Sequence, residues 1–407
     1  MKLAVIAIVV FMQVYELVLA YLNYRNRGAP LAENVRDVFD AEAYKKQQAY
    51  EMEKLKLGVI SGMCKTVVFV VLLAGNVYSG LYYFIGGHTA NEFLRVYFMF
   101  GVAWLITWPL DVLFDALATF KIEAKYGFNK TTPATFVGDM VKNIIISSVI
   151  INLGLLTLFM VLHNAFGNMV FVLFFFVLVV VLSLLFFLMP LIARLFSKMT
   201  PLEDDSLKDR AIALCAKMGY TKVKIRVTDD SKHSTKAGAG FAGLGKTKTV
   251  MLSSNLLGTY SEDEILAIIA HEVGHAKLRH VPIKFGMKFV FFASVLVMAY
   301  FVVNSAVSLA FGFTGLNVAF GMFITMALFG PITILLGIPD NMVERMCEYQ
   351  ADACEVKYVG REPAISAIKR LYAQNYGNLT PHPIVVKLKH THPPLSWRVA
   401  AMENVVS

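Results

Sequence analysis

His271-Glu272-Val273-Gly274-His275 places two imidazoles four residues apart, and Glu348-Tyr349-Gln350-Ala351-Asp352 follows further along the chain. On a helix, an H-E-x-x-H run puts both histidines on one face, a turn apart, where they can share one zinc ion. Glu272 then lies about a quarter-turn round, placed to act on a metal-bound water rather than on the metal. A catalytic zinc keeps three protein ligands and an open fourth position, and Glu348 is the obvious third. Asp352, four residues on, shares its helix face and could hold a ligand histidine by its free ring N–H. His280 is left out of the ligand set, because the extended H-E-x-x-H-x-x-G-x-x-H pattern needs Gly and His where the chain has Leu278 and Val281. The ornamental alternative, surface His and Glu on a soluble helix, is disfavoured by context. The chain has only 9 histidines, Ser261 and Glu264 form a capping box, and Leu266, Ile268, Ile269 and Val273 make the helix apolar.

The elements that must position these residues are unusual in composition. The chain has 407 residues, 57% hydrophobic and 16% charged, too apolar for an ordinary globular protein. Seven segments are long enough to cross a bilayer, at 3–22, 58–86, 94–119, 143–163, 168–193, 283–304 and 317–338. Loops 23–57 and 120–142 are rich in Lys and Arg, whereas 87–93, 164–167 and 305–316 have none. By the positive-inside rule the N-terminus is outside, and the zinc motif and C-terminus are cytoplasmic. The net charge of +9 is then topology and lipid contact rather than nucleic-acid binding, for which no module is evident. A cleaved signal peptide at the N-terminus would want its basic cluster in front of the apolar run, not behind it, so the first segment reads as a retained helix. Cys64, Cys215, Cys347 and Cys354 have no C-x-x-C spacing, which implies neither a disulfide framework nor a thiolate zinc site.

The expected fold is mainly α: a polytopic membrane protein of seven transmembrane helices with a zincin-like cytoplasmic α/β catalytic domain. Residues 1–195 form an N-terminal membrane region with five spans. Residues 196–281 form the catalytic region, 282–338 spans six and seven, and 339–407 a helical region bearing the third ligand, with a proline-bearing break at Thr380–Pro394. Within 196–281 the pattern predicts a helix over Leu202–Met218, an alternating strand over Lys222–Val227 and a second strand around Thr249–Ser253. The Gly-rich stretch between them spells both G-x-G-x-x-G (Gly238 to Gly243) and a Walker-type loop (Gly240 to Thr247). Both patterns need a helix to follow, and a strand follows here, so nucleotide is not an expected partner. Ala239, Gly240, Phe241 and Ala242 read instead as an edge strand to which a peptide substrate can add by backbone hydrogen bonds. Asp111 and Asp115, four apart within a span, are equally readable as a polar path or as a structural ion pair.

From about residue 35 onward the chain resembles the type I CaaX prenyl protease family of integral-membrane zinc peptidases. The resemblance is carried by Tyr44-Lys-Lys-Gln-Gln-Ala-Tyr50, Lys121-Ile-Glu-Ala-Lys-Tyr-Gly-Phe-Asn-Lys130, Asp230-Ser-Lys-His-Ser234 and His271-Glu-Val-Gly-His275. Arg345-Met-Cys-Glu-Tyr-Gln-Ala-Asp352 and His392-Pro-Pro-Leu-Ser-Trp-Arg398 complete it. A four-span heat-shock protease family shares the zinc motif but lacks the long N-terminal half. Where the family commonly shows His-Ser-Asn-Ala-Tyr, this chain runs His233-Ser-Thr-Lys-Ala-Gly-Ala-Gly-Phe241, without the substrate-facing Asn. The resemblance implies seven helices enclosing an intramembrane chamber, with one zinc per chain facing it from the cytoplasmic side. By family position, His392 becomes an oxyanion donor, and Arg398 a partner of Asp352 or of substrate. Implied substrates are peptides or proteins with membrane-associated C-termini, prenylated CaaX types among them, in a bacterial inner membrane or, in a eukaryote, the endoplasmic reticulum membrane. The competing class is a non-catalytic membrane scaffold or quality-control protein with a structural zinc. Glu272 argues against it, because a structural site needs no general base and usually closes its coordination shell.

Overall fold

The computed structural model describes residues 1–196, 198–229, 233–242 and 248–405. Helix α1 (Lys2–Asn26) is apolar almost throughout, and its Lys2 ammonium donates to the Ala74 carbonyl and to Asn76 Oδ1. Helix α2 (Ala41–Ala74) starts at Asp40, whose carboxylate accepts the Ala43 N–H, and runs without interruption from the charged first loop into the membrane. It stops at Gly75 and Asn76, the latter left-handed at φ 56°, and α3 (Val77–Gly86) resumes. The segment 58–86, expected as one span, is therefore two helices. Asn tolerates a left-handed backbone better than most residues, so the break falls where the chain can bend.

Helix α4 (Glu92–Ala116) continues through a π-helical turn, Leu117–Glu123. Next come α5 (Pro133–Asn143), a second π-helical stretch Ile144–Leu153, α6 (Gly154–Phe166) and, past a short 3₁₀ turn at Gly167–Met169, α7 (Val170–Phe196). Later helices are α8 (Asp205–Lys217), α9 (Glu262–Lys277), α10 (His280–Val303), α11 (Val307–Ala310), α12 (Val318–Leu328) and α13 (Gly330–Val359). The C-terminal part holds α14 (Arg361–Gln374), α15 (Pro383–Lys389) and α16 (Leu395–Glu403). The expected break at Thr380–Pro394 thus contains a short helix, opened by Pro383 at its first position.

Among the described residues, five helical runs are long and apolar enough to cross a membrane, or six if α12 and α13, bent by 53° at their junction, count as one. The sequence-based seven differs because 143–163 and 168–193 fall largely in one helical run, Pro133–Leu185. The chain is a mainly helical, multi-pass integral membrane protein. The expected boundary at 338/339 lies inside α13, and that at 281/282 inside α10. Pro339 does not end its helix; α13 carries straight on to the residues that matter for chemistry.

Outside the membrane part, four strands form one sheet in the order β1 (Met199–Pro201), β2 (Lys224–Thr228), β4 (Thr249–Ser253), β3 (Ala239–Ala242). β2 and β4 are parallel, and β1 and β3 flank them antiparallel. Val250 and Leu252 of β4 are fully buried, as a central strand's apolar residues should be. Their core is not confined to the contiguous region 196–281. Val35 and Phe39 from the first loop join residues of α8, α9, α14 and α16 in a single cluster, and Asn34 Nδ2 donates to the Ser396 carbonyl.

Helix α9 opens on the expected capping box. Ser261 Oγ accepts the Glu264 N–H, and Glu264 accepts the Ser261 N–H at 2.8 Å. Glu264 also accepts from Ser366 Oγ at 2.6 Å and from Arg370 at 2.7 Å. Burial pushes this carboxyl up, but Ser366, the Ser261 cap and Arg370 outweigh it and leave its pKa below the ordinary 4.5. Glu264→Ala is expected to destabilise the protein by about 2 kcal/mol, through loss of the cap and two further bonds, read as a drop in melting temperature in detergent. Because the folded pKa is depressed, the carboxylate's stabilisation is complete above the unfolded value and lost as pH falls through the folded one. The wild-type advantage over Glu264→Gln should therefore shrink below pH 4.5.

Candidate metal and active site

Two helices build the site. α9 presents His271 and His275 on one face, and α13 crosses it closely because Gly274 has no side chain. A Cβ built there would stand 3.2 Å from Cys354 Cβ and 3.6 Å from Ala351 Cα. On α13, Glu348, Asp352 and Glu355 share one face at i, i+4 and i+7, all buried (3%, 1% and 3% exposed). The first of them meets the histidines. His271 Nε2 is 3.1 Å from His275 Nε2 and 3.5 Å from Glu348 Oε2, and His275 Nε2 is 3.3 Å from Glu348 Oε1. Donors bound tetrahedrally at about 2.0–2.1 Å lie roughly 3.3 Å apart, so this triangle has the size of a metal site. Two imidazoles and a carboxylate also suit a first-row divalent ion.

The atoms behind the donors fix their orientation. His271 Nδ1 lies 3.0 Å from Asp352 Oδ1 and 3.5 Å from Glu355 Oε2, aligned as a hydrogen bond to neither. Burial works against a charged His271 ring, but Asp352, Glu348 and Glu355 outweigh it and raise its pKa well above the usual value. The same field that draws a proton there draws a cation. His275 Nδ1 is 2.9 Å from His280 Nδ1, and His280 Nε2 is 2.9 Å from Gln350 Oε1. With Gln350 accepting from His280 Nε2–H, His280 Nδ1 accepts from His275 Nδ1–H, which frees the lone pair on His275 Nε2 for a metal.

Arg398 of α16 grips Asp352 with two bonds, Nε to Oδ2 at 2.8 Å and Nη2 to Oδ1 at 2.5 Å, and Nη1 reaches Glu348 Oε2 at 3.5 Å. Burial lowers the guanidinium's proton affinity, but Asp352 and Glu348 more than restore it, so it stays charged. His392 Nε2 is 3.5 Å from Glu348 Oε1, with a side chain 61% exposed. Desolvation in the cleft holds its pKa below the ordinary imidazole value, against the pull of Glu348.

A cleft of 510 Å³ runs over this centre, with Gly238, Ala239, Glu272, Glu348, Tyr372 and His392 among its lining. Among the described residues β3 is an edge strand, as expected for Ala239–Ala242. Ser253 N–H bonds to the Gly238 carbonyl, so by the alternation of an antiparallel ladder the backbone groups of Ala239 and Phe241 turn away from β4. The Phe241 ring packs edge-on to Tyr220, 6.0 Å between centroids. Gly240 has only Met251 Cε within reach of a Cβ, at 3.7 Å, and Ala242 pairs with Thr249. The remainder of the Walker-like run, 243–247, lies outside the described residues, as do Asp230, Ser231 and Lys232 of the family motif. Asp111 pairs with Lys65 at 2.5 Å.

Sequence reasoning missed His280, Gln350 and Glu355. Glu355 had a signal, since seven residues after Glu348 is two turns along the same face. His280 had none: Arg279, left-handed at φ 57°, turns the chain between α9 and α10 and brings His280 back against His275. Arg398→Met would leave Asp352 buried and unpaired, and is expected to cost about 3–5 kcal/mol. Asp352→Asn in the same chain should recover much of that loss, as measured by thermal unfolding of the two variants.

Residues 20–198 match the family described as CAAX prenyl protease N-terminal, five membrane helices, and residues 201–406 match Peptidase family M48. The CAAX prenyl protease 1 homolog of Oryza sativa subsp. japonica is 28% identical across 99% of this chain and 97% of its own length. The probable CAAX prenyl protease 1 of Schizosaccharomyces pombe is 30% identical over 75% of this chain and 65% of its own. The crystal structure of S. mikatae Ste24p has the same fold, with a TM-score of 0.92 over 99% of both chains at 24% identity. The chain therefore belongs to peptidase family M48, with the CAAX prenyl protease N-terminal region, and is an integral-membrane metallopeptidase.

Proposed function

We propose that the metal is zinc, held by His271, His275 and Glu348, and that the enzyme is an endopeptidase acting near the C-terminus of membrane-associated substrates. The observation that carries this reading is the convergence of the three donors on one point in a cleft that Glu272 and the edge strand also line. When bound, zinc supplies a Lewis acid that acidifies a water and polarises the scissile carbonyl. Glu272 takes the proton from that water as it attacks, and returns it to the leaving amine. His392, on the rim beside Glu348, donates to the oxygen that gains negative charge. Asp352 holds His271 in orientation, and Arg398 neutralises Asp352. Ala239 and Phe241 offer outward N–H and C=O groups to an extended peptide, leaving its side chains free to vary.

The names of the relatives, all CAAX prenyl proteases, support prenylated CaaX-type peptides as a substrate class. α6 and α7, on either side of the turn at Gly167–Met169, are read as separate crossings, which gives seven spans. The basic loops support a site on the cytoplasmic side.

Purified protein in detergent should cleave a farnesylated C-a-a-X peptide, and a chelator should abolish cleavage. Glu272→Ala should lower kcat by about 10²–10⁴ while one zinc per chain is retained. Undiminished turnover in that variant would remove Glu272 as the base. Ala239→Pro deletes an outward N–H and spares the β4 ladder. It should raise KM roughly tenfold with little change in kcat, and an unaltered KM would rule out strand addition at this edge.

A further inference from the structure

The stretch entering β3 is held with unusual thoroughness. Asn255 Nδ2 donates to the Ser234 and Lys236 carbonyls at 2.8 and 2.7 Å. The Asn375 amide exchanges two 2.9 Å bonds with the Ala237 backbone. Thr235 N–H donates to the Phe128 carbonyl, and Lys130 N–H to the His233 carbonyl. Within this stretch the Lys236 side chain points back toward the membrane helices. Its ammonium donates to Tyr50 Oη at 2.6 Å and to Glu123 Oε2 and Oε1 at 2.8 and 3.0 Å. Tyr50 in turn donates to Glu123 Oε1 at 2.6 Å. The ammonium also lies 4.7 Å from the Phe128 ring centroid and 5.1 Å from that of Tyr50.

The two acceptors come from separate membrane helices. Tyr50, 1% exposed, is on α2. Glu123 is the last residue of the π-helical turn that ends the α4 run, and its carbonyl also accepts the Phe128 and Asn129 N–H groups. π-turns are rare and concentrate at functional positions. Here the turn delivers one residue that anchors both the 127–131 loop and the lead into β3.

From this geometry we infer that Lys236 is a positioning residue for the reaction: held by Tyr50 and Glu123, it fixes the edge strand against the membrane helices at the depth where an incoming peptide must pair. Only two residues separate Lys236 from Ala239, so a shift of its ammonium is passed to the strand with little slack. The inference rests on the reading of β3 as the substrate-binding edge, and its test keeps the two apart.

Kinetics of full-length Lys236→Met, Glu123→Gln, the double variant and Ala239→Pro would be compared on one membrane-anchored peptide, with hydrogen exchange across 233–242. Lys236→Met and Glu123→Gln should each raise KM roughly tenfold and change kcat less than about threefold. The double variant should be no worse than either alone, because both break the same contact. Exchange in 237–242 should quicken without substrate, and Lys236→Arg should restore most of the loss. If Lys236→Met does not fold, Tyr50→Phe, which removes one hydroxyl, should still raise KM by a smaller factor. A normal KM in Lys236→Met, beside a raised KM in Ala239→Pro, overturns the positioning role while the strand reading stands. A normal KM in Ala239→Pro removes the strand reading, and the positioning role with it.

Discussion

Everything at the site depends on how closely α9 and α13 approach at Gly274. A Cβ at that position would stand only 3.2 Å from Cys354, so a side chain there asks the neighbouring helix to give by a few tenths of an ångström. The same close approach leaves the Glu348 carboxylate 3.3–3.5 Å from the imidazoles of His271 and His275. Small residues face each other at this contact, Gly274 against Cys354 and Ala351. The long polar groups lie a turn away, where the separation lets them meet end to end. Packing distance and coordination distance are set by one contact.

The same crossing explains how so many charges are tolerated in so small a volume. Three carboxylates on one helix face would repel one another if left alone, and each would carry a desolvation cost of several kcal/mol. Arg398, His271 and His275 answer that charge from two other helices. Removing Arg398 takes away both hydrogen bonds that it gives Asp352, which makes the centre as much a folding constraint as a chemical one. α16 is tied to it through Arg398, and the first loop is tied to α16 through Asn34. The C-terminus and the N-terminal loop are thereby locked into the same body.

The sequence showed what local rules govern. The capping box at Ser261, the helical spacing of His271 and His275, the strand at Thr249–Ser253 and the edge at Ala239–Ala242 all follow from periodicity and turn chemistry within a few residues. Tertiary facts were not legible. Nothing local in Val35 or Phe39 says that they pack against α9. The break at Gly75–Asn76 is hidden in an apolar run that hydropathy reads as continuous. The expected boundary at 338/339 falls beside Pro339, yet α13 passes through it, since a proline removes one hydrogen bond and the flanking turns keep the rest. His280 was set aside by a pattern for ligands, although its ring meets His275 Nδ1 at 2.9 Å.

The continuity of α13 has one more consequence. From Ile338, the last residue of its apolar half, to Glu348 is ten residues of unbroken helix, about 15 Å at 1.5 Å per residue. That rod has no break between the apolar half and Glu348, so a tilt of the one carries the other with it.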